Sequence, residues 1–221
     1  MVKSKVRILD RRTLLAGLGV LAAPGSALAA ARALAGQAEP PPLVTVLGAS
    51  ITAGLGLAHD LAMPARLQTA LDRMGVRSRV FGFGALGDTS ASALNRVDRA
   101  PPDTRVCVVA LGGNDLLQGL EPATTRANLR AIILRLKARG ARVVLAGVRA
   151  PALLGVDYAR RFTEIYPELA RELDVLYAPD FFTGVIGVSR YMQRDGLHPN
   201  AEGARIIAER LAPVVARALQ G

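Results

Sequence analysis

The sequence predicts an α/β fold, with a central parallel sheet covered by helices on both faces. Three observations predict it. Short β-type runs alternate with longer segments of helical spacing or length, as in a chain of strand–helix units. The strand-like runs are apolar almost throughout, the signature of strands buried on both faces. Polar motifs follow the strands. Right-handed crossovers bring the strand C-termini to one edge, where open α/β folds bind ligands.

The elements follow in order. Residues 37–42 are a polar, proline-rich lead-in. Residues 43–47, 80–83, 106–111 and 143–148 are strand candidates, rich in Val, Leu and Phe. Residues 61–74, 90–97, 124–139, 158–173 and 201–219 are helix candidates. In the last of these Ile206, Ile207, Leu211, Val214 and Val215 share one face, while Arg205, Glu209 and Arg210 stay wet. Gly75 and Gly140 fall where C-terminal helix caps belong. One domain over residues 43–221 is expected, long enough for a sizeable core.

The start of the chain reads as an export signal. Lys3, Lys5, Arg7, Arg11 and Arg12 precede an apolar run, Leu14 to Ala23, too short to span a bilayer comfortably. Ala27-Leu28-Ala29 is an A-x-A cleavage pattern, and Arg11-Arg12 resembles the twin-arginine signal of bacteria. The expectation is a signal over 1–29, a lead-in over 30–42, and a periplasmic or secreted protein without a stable membrane anchor, its partners including the export machinery. Residues 1–29 hold five of the 28 basic and one of the 18 acidic residues, so the remainder carries +6 rather than +10. Its arginines are scattered along helix candidates, as on solvated faces, and no nucleic-acid-reading module is present. Cys107, the sole cysteine, lies in an apolar run and reads as a buried, inert thiol.

Three loops after the first three strands carry polar groups. Gly48-Ala49-Ser50-Ile51-Thr52-Ala53-Gly54 turns sharply enough to present the Ser50 hydroxyl at a helix N-terminus. Gly87 lets a main-chain N–H approach a reacting carbonyl, and Asn114 offers an amide donor beside two glycines. With the Ser50 N–H these form a three-donor oxyanion hole. Near the C-terminus Asp195-Gly196-Leu197-His198-Pro199 places an acid three residues before one of only two histidines. An imidazole oriented by a carboxylate activates a hydroxyl nucleophile. Each motif alone has a plainer reading: Ser50 as a helix cap, Gly87-Asp88-Thr89-Ser90 as a capped turn, His198 as a surface residue. His59 is the rival imidazole, in a short loop with no glycine or proline fixing it. The glycine pattern fits neither a phosphate-binding loop, nor a dinucleotide fingerprint, nor the Gly-x-Ser-x-Gly elbow. Two histidines and one distant cysteine make no metal cluster, so neither a metal nor a cofactor is expected.

In that order, Gly48-Ala49-Ser50-Ile51, Gly87, Gly113-Asn114-Asp115 and Asp195-x-x-His198 resemble the four blocks of the SGNH (GDSL-type) hydrolases. Gly87-Asp88-Thr89-Ser90, Ile165-Tyr166-Pro167 and residues 192–200 are similar to the bacterial thioesterase/arylesterase/lysophospholipase branch. The resemblance covers about residues 43–211. It implies a flavodoxin-like three-layer α/β/α sandwich and cofactor-free hydrolysis of small-molecule esters or thioesters: acyl, aryl or lysophospholipid-type. It implies Ser50 as nucleophile, His198 as base, Asp195 as its orienting acid, and Ser50, Gly87 and Asn114 as the oxyanion hole. By the same analogy Val148, Ala150, Pro151, Phe181 and Phe182 line the acyl pocket. The chain departs from the pattern at Ala49, where the family usually has Asp, and a looser turn under Ser50 is the implied consequence. Two alternatives stay open: a carbohydrate O-deacetylase, and a weakly active or non-catalytic acyl-binding member.

Overall fold

A computed structural model describes residues 39–179 and 181–221; the expected signal and most of the lead-in lie outside them. Residues Pro41–Gly221 form one folded unit. Its first strand, β1 (Leu43–Gly48), is buried at every position. That agrees with an uninterrupted apolar run, since a strand wet on one face would alternate. The other strands are β2 (Arg79–Gly84), β3 (Thr104–Ala110), β4 (Arg142–Ala146) and the three-residue β5 (Leu176–Ala178). They form a single sheet in the order β2-β1-β3-β4-β5, every pair parallel.

Among the described residues seven α-helices accompany them: α1 (Ser50–Ala53), α2 (Met63–Arg73), α3 (Ser90–Arg96), α4 (Gly113–Leu117), α5 (Pro122–Ala138), α6 (Val156–Glu172) and α7 (Ala201–Gln220). Met63, Leu67 and Leu71 of α2 and Ile207, Leu211 and Val215 of α7 pack on one face of the sheet, against Val44, Val46, Val106 and Val108. On the other face α3, α5 and α6 bury Ala93, Leu129, Ile132, Phe162 and Tyr166 against Leu47, Cys107 and Val109. The result is the expected three-layer α/β/α sandwich. Gly75 (φ +69°) and Gly140 (φ +82°) close α2 and α5 in the left-handed region, as helix C-termini require. Cys107 is fully buried, and desolvation pushes its thiol up to about 12. Among the described residues no helix is long and apolar enough to cross a membrane.

The strand order reverses between β1 and β3. The two loops leaving those strands therefore diverge to opposite faces and open a crevice at their C-terminal ends. Ser50 follows β1 and Asn114 follows β3, so both motifs flank that crevice.

Candidate active site

Ser50 is the first residue of α1, on a turn of almost no slack. A Cβ on Gly48 would meet Thr52 Oγ1 at 2.1 Å, so the last residue of β1 must be glycine for the helix to begin there. Ala49 caps α1 without a side-chain hydrogen bond. The main chain holds the turn in its place: Ala53 N–H donates to Ala49 O (2.9 Å) and Leu55 N–H to Ser50 O (3.0 Å). Gly54 ends the helix in the left-handed region at φ +76°.

Asp195 and His198 sit on a tight hairpin ahead of α7. Met192 and Pro199 form an antiparallel bridge, Gln193 N–H donates to His198 O (2.8 Å), and Gly196 turns the chain at φ +66°. Asn200 anchors the base of the hairpin: its Oδ1 caps α7 by accepting from Glu202 and Gly203 N–H, both at 3.0 Å. Gln193 Nε2 ties the hairpin to the loop after α1 through Leu55 O (2.8 Å). The outcome is a linear chain of hydrogen bonds. Asp195 Oδ2 lies 2.6 Å from His198 Nδ1, and His198 Nε2 lies 2.9 Å from Ser50 Oγ. The other Asp195 oxygen accepts the N–H groups of Leu197 (2.9 Å) and His198 (3.0 Å). The His198 N–H, its ring and the Leu197 N–H, in that order, hold the Asp195 carboxyl down at about 2. Asp195 is thus a carboxylate at neutral pH, placed to fix the ring with its Nδ1 proton toward the acid. His59 is exposed and lies outside this cluster.

Asp88 links the two remaining predicted donors, as the chain neighbour of Gly87 and the acceptor of Asn114. Asn114 Nδ2 donates one N–H to Asp88 O at 2.7 Å, which orients the amide and leaves its second N–H. Gly87, immediately before Asp88, adopts φ +73°, a conformation glycine takes without penalty. The next residue, Asp115, is fully buried and holds the second and third loops together. It accepts from Ser90 N–H (2.8 Å), the Ser90 hydroxyl and Thr125 Oγ1 (3.2 Å).

A cavity of about 570 Å³ opens over Ser50 and His198 at the switch point. Asn114, Val148, Ala150, Pro151, Phe181 and Phe182 line it; Gly87 lies outside its lining. Leu154 and Ile186, in the same two segments, line it too, while sequence reasoning missed Leu116, Leu117 and Leu197. These stand in short helices and loops without a repeat period, and their exposure (60% for Leu117, 43% for Leu197) is the one sign that they serve something other than the core.

Residues 46–206 match the model of the GDSL-like lipase/acylhydrolase family, spanning the serine turn, both donor loops and the hairpin. The chain belongs to that family. It is similar to thioesterase 1/protease 1/lysophospholipase L1 of Escherichia coli, 37% identical over 76% of this chain and 80% of that protein. The esterase TesA of Pseudomonas aeruginosa is 36% identical over 77% of this chain and 86% of that one. The crystal structure of TesA covers 80% of this chain and 99% of its own at a TM-score of 0.75 and 34% identity. That of AlinE4, an SGNH-hydrolase family esterase, covers 82% and 98% at 0.68 and 38%. This acylhydrolase therefore cleaves carboxylic esters or thioesters, on the five-stranded parallel sheet its relatives share.

Proposed function

We propose that Ser50 is the nucleophile, His198 the general base and acid, and Asp195 the acid that orients it. The carrying observation is the continuous Asp195–His198–Ser50 chain, at 2.6 and 2.9 Å, on the wall of an apolar cavity. His198 Nε2 takes the Ser50 proton as Oγ attacks the ester or thioester carbonyl. The resulting oxyanion is held by the N–H groups of Ser50 and Gly87 and by Asn114 Nδ2. His198 then protonates the leaving alkoxide or thiolate, leaving an acyl-enzyme on Ser50. Water, activated by the same imidazole, attacks that ester, and collapse of the second tetrahedral intermediate returns Ser50 and the free acid.

The substrate reading follows from the lining. Val148, Ala150, Pro151, Phe181 and Phe182 offer an acyl or aryl group an apolar bed of a size usual for small-molecule sites. A sugar would find few hydrogen-bonding partners in such a bed, which favours acyl, aryl or lysophospholipid-type esters over acetylated carbohydrate. The main-chain bonds that hold the Ala49 turn favour an active enzyme over an acyl-binding relic. The basic, apolar and small-residue regions of 1–29 support twin-arginine export to the periplasm or beyond. Ser50→Ala is expected to lower hydrolysis of p-nitrophenyl esters by on the order of 10⁶-fold while the protein folds normally. A fluorophosphonate should label Ser50 in the wild type. Wild-type turnover in the variant, or label on another residue, refutes the assignment. An acyl-chain panel with an acetylated sugar alongside tests the substrate class.

A further inference from the structure

We infer that Arg96 and Asp88 form a positioning pair that fixes the spacing between the three oxyanion donors; the inference rests on the donor assignment proposed above. Arg96 is the last residue of α3, and its side chain is only 15% exposed. The guanidinium carbon lies over Phe83, 4.3 Å from the ring centre. From there its planar fork reaches three segments. Nη2 donates to Gly48 O at 2.9 Å, at the end of β1 and two residues before Ser50. Both terminal nitrogens reach Phe83 O at 3.3 Å, at the end of β2. A further N–H meets the Asp88 carboxylate at 2.5 Å, one residue after Gly87. The Asp88 side chain is 10% exposed and also accepts from Ser92 Oγ at 2.8 Å.

Asp88 passes the constraint on. Its carboxylate is held by Arg96 and Ser92, and its carbonyl orients the Asn114 amide at 2.7 Å. A shift of Asp88 therefore moves Gly87 through one peptide bond and Asn114 through one hydrogen bond, while Arg96 ties both to the strand end that carries Ser50. Ala49 supplies no side-chain bond to the serine turn, and Arg96 holds the carbonyl directly before it. Donors aimed at developing charge work only at the right distance, so such a frame acts on the transition state more than on substrate binding.

The test compares Arg96→Met, Arg96→Lys and Asp88→Asn with wild type. Turnover of a p-nitrophenyl ester is normalised to the Ser50 sites that a fluorophosphonate labels, with thermal melts alongside. Arg96→Met retains the stem over Phe83 but loses every donor; its kcat per labelled site should fall about 10²-fold, the scale of losing one oxyanion donor. KM should stay within about two-fold, because the pair acts on the transition state and not on ground-state binding. Arg96→Lys, with a point charge in place of a fork, should retain part of the rate. Asp88→Asn, nearly isosteric, should lose rate in the same sense and carries the test if Arg96→Met folds poorly. The double variant should be little worse than the poorer single one, since both break the same path. A kcat per labelled site within about two-fold of wild type in the folded variants overturns the inference. So does a loss explained entirely by fewer labelled sites. Failure of the underlying reading looks different: there Ser50→Ala stays active or the label falls elsewhere, whatever the Arg96 variants do.

Discussion

Gly84→Ala is the smallest change expected to separate Ser50 from His198 without touching either. Gly84 ends β2 and pairs in register with Gly48. A methyl group there would lie 2.4 Å from Ala53 N, 2.7 Å from Ala49 O and 2.8 Å from the Thr52 carbonyl carbon, all main-chain atoms of the α1 turn. Ordinary contact starts at 3.4 Å, so α1 must recede by about 1 Å. Ser50 opens that helix, and its 2.9 Å bond to His198 has little room for such a shift before it passes the limit of a hydrogen bond. Misplacing a reacting group by 1 Å costs about 10² in rate. Overpacking also costs about 1–3 kcal/mol of stability, and each kcal/mol lowers the melting midpoint by roughly 2–4 °C at this chain length. Because Gly84 has an ordinary φ, backbone strain adds nothing. The assay is turnover per fluorophosphonate-labelled serine beside a thermal melt. A variant with wild-type turnover and melting would refute the close-packed turn and with it the reason for glycine at both strand ends.

Three further outcomes follow from the same geometry. The Asp195 carboxyl is held at about 2 against an ordinary 3.8, so it adds stability above pH 4 that is lost as pH falls through 2; the melting difference between wild type and Asp195→Asn should be full above pH 4 and close toward pH 2. The same variant should lose up to about 10⁴ in kcat at neutral pH, because the amide no longer fixes the His198 tautomer. Tyr166 is fully buried and donates to Leu111 O at 3.0 Å beneath the Asn114 loop. Tyr166→Phe strands that carbonyl and should cost about 1–3 kcal/mol by denaturant unfolding; an unchanged midpoint would refute it.

Much of this was legible in the sequence, and for a local reason. Apolar runs and helical spacing are set by which face each residue buries, so four strands and five helices fall within a few residues of expectation. Ser50, His198 and Asp195 were legible because glycine and proline mark the turns that carry them. β5 was missed: three residues after Asp174, itself at φ +48°, are too few to show a pattern. The part played by Asp115 was not legible: it is fully buried and takes its bonds from Ser90 and Thr125, 25 and 10 positions away. Arg96 was grouped with solvated helix arginines. It turns inward because the carbonyls of Gly48 and Phe83 and the Asp88 carboxylate converge there, a coincidence of three loops that no spacing encodes. Ala49 read as a looser turn, but that expectation weighed side chains and left out the main-chain bonds.

Ser50 and His198 are bonded across 148 positions of chain, one beside the first strand and the other on the hairpin that α7 secures. The sheet and both donor loops are complete in sequence before residue 180. A chain still emerging at that point holds its serine without the imidazole that would activate it. Hydrolysis that depends on this bond therefore requires the C-terminal hairpin, and a folded sheet alone does not supply it.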